Sequence, residues 1–199
     1  MKILHTVEFY SPSVGGMQEV VKQISERLAE RGHDITVATS FDPKRKKGKI
    51  NGVSIKEFKI SGNDVRGIKG NQKEYIDFIK NGQFDIVTNF AAQQWASDLV
   101  LKNLKEIKSK KIFVPTGFSG LFNPQFSKYF DKIPKFLTYY DSIIYLSNDY
   151  RDISFSREFG INQGIVIPNG SSEIEFSSFK EDTEILKKYG INQSFIILN

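Results

Sequence analysis

The chain has 199 residues, a hydrophobic fraction of 39% and a formal charge of +5, enough for one domain with a proper core. It has no cysteine and two histidines, so disulfides, thiolate metal sites and a histidine-only metal site are excluded, and a reducing compartment fits. No apolar run reaches the roughly 20 residues of a membrane helix, and polar residues follow Met1-Lys2-Ile3-Leu4-His5 too soon for a signal peptide.

In chain order, Lys2 to Val7 reads as a buried strand, and Glu8 to Ser13 as the loop after it. Gly15 and Gly16 then stand at the mouth of a helix over Met17–Arg31. Its apolar face is Met17, Val20, Val21, Ile24 and Leu28, and Gly32 is placed as a left-handed cap. His5 reads as a hydrogen-bonded core histidine and His33 as structural. Paired glycines at a helix start allow positive φ and close approach to backbone N–H groups. A helix N-terminus also carries unpaired donors and partial positive charge, so the stretch suits a phosphate. A tight strand-to-helix turn that needs glycine for geometry alone is the other reading.

Ile35 to Thr39 is the next strand, which completes a βαβ unit with parallel strands. Residues 43–73 hold ten basic residues and two acids, so the remainder is net acidic and no general nucleic-acid surface is implied. Lys44, Arg45, Lys46, Lys47 and Lys49 suit either a solvated loop or an anionic membrane surface. Val53 to Ile60 reads as extended and Ser61 to Gly70 as loop. Lys73 to Lys80 reads as a helix with Ile76 and Ile79 inward, and Phe84 to Phe90 as a strand. A helix marked by Trp95, Leu99 and Leu104 is expected to end in Lys108, Lys110 and Lys111. Ile112 to Pro115 is a strand, and Thr116 to Gly120 a flexible loop. Pro124 to Tyr140 is helical in part, interrupted at Pro134. Ser142 to Leu146, Asn148 to Phe159 and Gly164 to Ile167 give strand, helix and strand.

This alternation predicts an α/β fold: a doubly wound, mostly parallel Rossmann-like sheet with helices on both faces and the first strand central. Ligands in such sheets bind beyond the carboxyl ends of the strands. The candidate binding residues are therefore Tyr10, Asn89, Gln93, Trp95, Gly117, Phe118, Ser147, Tyr150 and Arg151. Trp95 with Gln93 and Gln94 reads as a sugar-stacking platform at the cleft, and Trp95 reads equally as a helix-start core residue.

The segments Val14-Gly15-Gly16-Met17-Gln18-Glu19-Val20-Val21 and Leu28-Ala29-Glu30-Arg31-Gly32-His33-Asp34-Ile35-Thr36-Val37 resemble the start of a retaining glycosyltransferase of family 4. Ile167-Pro168-Asn169-Gly170 resembles a signature near the end of the first domain of those enzymes. Ser142-Ile143-Ile144-Tyr145-Leu146-Ser147 resembles the strand before it. The resemblance implies the N-terminal, acceptor-side half of a two-domain GT-B fold over residues 1–171. Residues 172–199 would be a linking helix (181–189) and the first strand (194–198) of a donor-binding domain, with Asn169 and Gly170 as hinge. It implies a UDP- or GDP-sugar donor facing Gly15, Gly16 and Met17, a glycan or lipid-linked acceptor, no cofactor and no metal. A cytoplasmic location is expected, with peripheral contact at the inner face of the membrane through Lys44, Arg45, Lys46, Lys47 and Lys49. Many members place a histidine near the reacting sugar. Here Thr116 matches that place, and a threonine is a poor acid or base, so Glu8 is the candidate helper. A stand-alone α/β binding module and half of a sugar-nucleotide epimerase remain the alternatives. Phe195, Ile196, Ile197 and Leu198 are expected to dock rather than project into solvent.

Overall fold

The computed structural model describes residues 1–171 and 187–190. Strand β1 (Lys2–Thr6), helix α1 (Gly16–Glu30) and strand β2 (Asp34–Ser40) form the expected βαβ unit, with β1 and β2 parallel. Burial is continuous along β1 after Lys2, because elements cover both faces of the sheet. Helix α1 turns Met17, Val21, Ser25 and Leu28 inward, beside Ile3, Ile35 and Val37. Ile24, expected on that face, is 40% exposed. Ser25 takes the inward place because the facing residue is polar: its hydroxyl lies 2.8 Å from Nδ1 of His5. The helix ends in a Schellman motif at Gly32 (φ 83°), with Gly32 N–H on the Ala29 carbonyl and His33 N–H on that of Leu28.

Strand β3 (Lys49–Ile50) turns back antiparallel onto β4 (Val53–Phe58) through Asn51-Gly52, both with positive φ. Asn-Gly is a strong hairpin signal, which the charge of this region obscured. Strands β5 (Ile60–Asn63) and β6 (Gly67–Gly70) pair antiparallel as a separate two-stranded sheet, where the sequence suggested loop. A Cβ on Gly62 would overlap the Gly67 carbonyl, and one on Gly70 that of Lys59. These glycines permit a close strand pair rather than marking its absence.

Helix α2 (Gln72–Asn81) is capped by the Asn71 side chain, which accepts from Glu74 N–H, and it buries Tyr75 and Ile79; Ile76 lies at the margin. After β7 (Ile86–Phe90), every residue of α3 (Trp95–Leu101) is buried. A 3-10 turn at Leu104–Glu106 follows, and Lys110 and Lys111 open β8 (Lys110–Val114) instead of ending a helix. Asp141 fixes that start by accepting from Lys110 Nζ and Lys111 N–H, each at 2.8 Å. A 3-10 turn at Pro124–Phe126, α4 (Ser127–Phe130) and α5 (Ile133–Leu137) then follow, with the restart at Pro134 as expected. Strand β9 (Ser142–Tyr145), α6 (Arg151–Glu158) and β10 (Gly164–Val166) complete the series.

The main sheet has the order β10-β9-β8-β7-β1-β2-β4-β3 and is parallel except for β3. From β1 the chain first adds strands on one side, then returns to add β7 to β10 on the other. The order therefore reverses between β1 and β7, where such sheets open a ligand crevice. Met1–Pro168 form one unit, and a second runs from Asn169 to Asn199. In the second unit, Asn169 and Gly170 are exposed, and residues 187–190 are a helical turn closing at Gly190 (φ 64°). The rest of the expected linking helix, the expected strand at 194–198 and the apolar residues Phe195 to Leu198 lie outside the described residues.

Candidate active site

The carboxyl ends of β1 and β7 present the N-terminus of α1. Its N-cap, Gly15, offers no side chain to the helix, and the first N–H within the helix to pair is that of Glu19, on the Gly15 carbonyl at 3.0 Å. The N–H groups of Gly16, Met17 and Gln18 have no partner among the described residues. The glycines do not take the positive φ expected of them, because Gly15 is extended (φ 171°) and Gly16 has no positive φ. Their contribution is space. A Cβ on Gly16 would meet nothing within 4 Å, and one on Gly15 would meet only the Gln18 side chain. Val14 beside them is 96% exposed. Three free donors at the positive end of a 15-residue helix can receive an anion. The Met17 side chain packs into the core and leaves only its N–H for that purpose.

Arg45 holds the loop that leads to these donors. Its side chain is 2% exposed and ion-paired with Glu57. It donates to the carbonyls of Ser11 (2.7 Å), Tyr10 (3.1 Å) and Ser40 (3.1 Å). The sequence grouped Arg45 with four lysines in a basic run that suits either a solvated loop or an anionic membrane surface. Its guanidinium is instead spent inside the protein, while Lys44, Lys46, Lys47 and Lys49 are exposed.

Glu8 lies at the switch point. Its N–H donates to Gln94 Oε1 (2.6 Å), and its carbonyl accepts from Ser40 N–H and the Thr39 hydroxyl. Its carboxyl has no hydrogen-bond or salt-bridge partner among the described residues. Burial, reinforced by the nearby charge of Asp98, pushes that carboxyl up to about 7. A carboxyl titrating there can give and take a proton at neutral pH. Asp98 itself is raised to about 6 by burial, against the hydrogen bonds it accepts from Asp64 N–H and the Tyr129 hydroxyl. Gln94 ties the site together by donating to the carbonyls of Phe90 (2.8 Å) and Ala91 (3.2 Å) while accepting from Glu8. Asp98 was not singled out in the sequence, where nothing distinguishes it from a surface polar residue.

The loop after β8 is tied to its neighbours by hydrogen bonds. Thr116, Gly117 and Phe118 all have positive φ, as do Ala91 and Gln93 after β7. Non-glycine residues rarely adopt such angles unless their surroundings impose them, and they gather at functional sites. The imposing contacts are present. Gln93 Oε1 accepts from Gly120 N–H (3.0 Å) and the Ser119 hydroxyl (3.3 Å), and Asp152 accepts from Gly117 N–H (2.9 Å). Thr116 is half-buried, and the Tyr150 ring lies directly on Gly117, where a Cβ would overlap it. Arg151 stacks near the Phe122 and Tyr150 rings. Ser147 is engaged in a turn, its hydroxyl 2.5 Å from Asp149 Oδ1.

Four of the expected binding side chains are instead core. Asn89 is fully buried between the Thr6 (2.6 Å) and Tyr140 (3.1 Å) hydroxyls. Trp95 packs on Tyr75 and Phe58 and donates to the Ser40 hydroxyl at 2.9 Å. Phe118 sits between Phe130 and Phe155, and Tyr10 is buried in the cluster under α1. None offers a side chain to a ligand. His5 is buried and lowered to about 4, so it is neutral at pH 7. Among the described residues no cluster of His, Asp or Glu could hold a metal ion.

A doubly wound sheet with open helix donors and strained loops along its carboxyl edge defines a Rossmann-like domain. The sequence model of Glycosyltransferase Family 4 matches residues 14–171, and the chain belongs to that family. No curated protein gives a significant match. Among solved structures, a glycosyltransferase from Rickettsia africae is similar at 18% identity and a TM-score of 0.62, over 97% of this chain and 50% of that one. Sucrose-phosphate synthase from Thermosynechococcus elongatus is similar at 12% identity and a TM-score of 0.68, over 96% and 52%. Anabaena HepE in complex with UDP is similar at 13% and 0.64, over 96% and 50%. At these identities the likeness concerns the fold. The chain spans about half the length of the structures it matches.

Proposed function

We propose that this chain is the acceptor-side half of a retaining, nucleotide-sugar-dependent glycosyltransferase that moves a hexosyl group to a glycan or lipid-linked acceptor. The observation that carries the reading is the trio of free N–H groups at Gly16, Met17 and Gln18, at the strand switch point of a Family 4 domain. They face the donor diphosphate and stabilise it as it departs. The donor is a UDP- or GDP-sugar; the similarity to a HepE structure holding UDP supports the nucleotide class. Thr116 orients the acceptor hydroxyl and Glu8, poised near neutrality, takes its proton. No metal is invoked in this reading, since the helix donors meet the phosphate charge. The exposed Lys44, Lys46, Lys47 and Lys49 suit peripheral contact with an anionic membrane at its cytoplasmic face.

One helix N-terminus in open water supplies about 0.3–1 kcal/mol, while enzymes lower barriers by roughly 8 kcal/mol or more. A second, donor-binding domain must close the site. The test is acceptor-dependent nucleotide release, with product anomeric configuration read by NMR, for the full-length protein and for residues 1–199 alone. The full-length protein should turn over with retention and the fragment should not. Turnover by the fragment, or inversion, would overturn the reading.

A further inference from the structure

Phe122, Tyr150 and Arg151 form a cluster at the carboxyl edge of the sheet that no step above uses. Phe122 is 78% exposed, and Tyr150 is half exposed. Exposed aromatic side chains gathered around one cation suit a binding surface. These are held in place. Phe122 sits in a turn closed by Leu121 N–H on the Phe118 carbonyl and Asn123 N–H on that of Gly120, each at 2.9 Å. The Tyr150 ring is seated on the bare backbone of Gly117. The Arg151 guanidinium lies 5.7 Å from the centre of the Phe122 ring and 5.6 Å from that of Tyr150, within cation–π range of both.

Among the described residues the charge of Arg151 is unspent. Its one hydrogen bond in the described structure is a long one, 3.4 Å, to the Ser119 carbonyl, and it takes part in no salt bridge among the described residues. The neighbouring acids are occupied. Asp149 holds the Ser147 hydroxyl, and Asp152 is buried on the N–H groups of Gly117 and Ile153. A planar fork of donors between two aromatic faces recognises a carboxylate or phosphate in bidentate fashion. The rings offer apolar faces to the C–H side of a sugar. Tyr150 also touches the loop that carries Thr116.

We propose that Phe122, Tyr150 and Arg151 are an acceptor subsite selective for a sugar that bears an anionic group, a carboxylate or a phosphate. This rests on the transferase reading above. Full-length enzyme would be assayed with three acceptors: a neutral β-glucoside, the matching β-glucuronide and the matching glucoside 6-phosphate. The wild type should prefer one of the anionic acceptors, and the comparison of the two distinguishes carboxylate from phosphate. In Arg151→Gln the kcat/KM ratio of anionic to neutral acceptor should fall at least tenfold, with the KM for donor unmoved. In Phe122→Ala all three acceptors should weaken together. An Arg151→Gln ratio equal to wild type would overturn the proposal while leaving the transferase reading intact. Binding of methyl glucuronide and glucose 6-phosphate to the full-length protein, followed by ligand-observed NMR, gives a second readout without turnover. If none of these three acceptors supports nucleotide release, the binding measurement decides alone, and loss of this binding in Arg151→Gln would support an anionic-sugar site. Unchanged binding in the variant would remove it.

Discussion

Arg45 is the residue whose loss should do most damage for its distance from any ligand. In Arg45→Met three backbone carbonyls, those of Tyr10, Ser11 and Ser40, lose a charged donor. Hydrogen bonds to charged groups contribute roughly 1.5–3 kcal/mol each. Two effects reduce the sum. The buried guanidinium no longer has to be desolvated, a penalty of several kcal/mol. Glu57 is 27% exposed and keeps the Asp42 N–H at 2.9 Å, so its charge is not stranded. The expected net cost is about 3 kcal/mol, in the range for breaking a buried pair. For a domain of this size that lowers Tm by about 6–12 °C. Equilibrium urea unfolding of wild type, Arg45→Met and Glu57→Gln tests it. Glu57→Gln should cost about 1 kcal/mol or less, since the carbonyl contacts survive. A loss below about 1 kcal/mol in Arg45→Met would refute the clamp. The full-length variant should also bind its donor less well, because the clamped loop leads directly to the free donors of α1.

Gly16→Val should leave folding nearly untouched, since a Cβ there meets nothing within 4 Å, yet cut the donor-dependent activity of the full-length enzyme at least about tenfold by blocking the phosphate approach; equal activity would remove the glycine from the site. The Glu8 carboxyl is raised from 4.5 to about 7 in the folded protein, so the native state holds the proton more tightly than the unfolded one. Its contribution is present below about 4.5 and is lost as pH rises toward 7. Glu8→Gln should therefore gain stability relative to wild type across that window, as read by urea unfolding at several pH values. The opposite slope from His5, lowered from 6.5 to about 4, is common to both proteins and cancels. A pH-independent difference would place the Glu8 carboxyl in solvent. Gly70→Ala must relieve both a positive φ (106°) and overlap with the Lys59 carbonyl, while Gly67→Ala meets positive φ alone. Each strain costs about 1–3 kcal/mol, so Gly70→Ala should be the less stable variant in thermal melts, and equal stability would contradict the close strand pairing.

The alternation of apolar runs with helical periods was sufficient to give the class of fold, the parallel βαβ start and the central first strand. These follow from period and order alone, which are properties of the chain. The Gly32 cap and the break at Pro134 were legible for the same reason, since each depends on one residue's own backbone. The mouth of α1 was legible as an open helix end, though the reason proved to be space rather than positive φ. What only the tertiary structure decided is which polar groups meet. Arg45 reaches the Tyr10 carbonyl 35 residues away, and Gln94 reaches Glu8 across 86. Composition gave Arg45 to solvent because a charge run looks alike whether solvated or satisfied inside. Asn89 lies at the end of a strand and Trp95 and Phe118 in the segments just beyond strand ends, yet packing turned all three inward, because such a position fixes a residue's height along the sheet and not the direction of its side chain. Ser25 replaced Ile24 at the helix interface because His5, opposite, demanded a hydrogen bond, and that pairing exists only once β1 and α1 are packed.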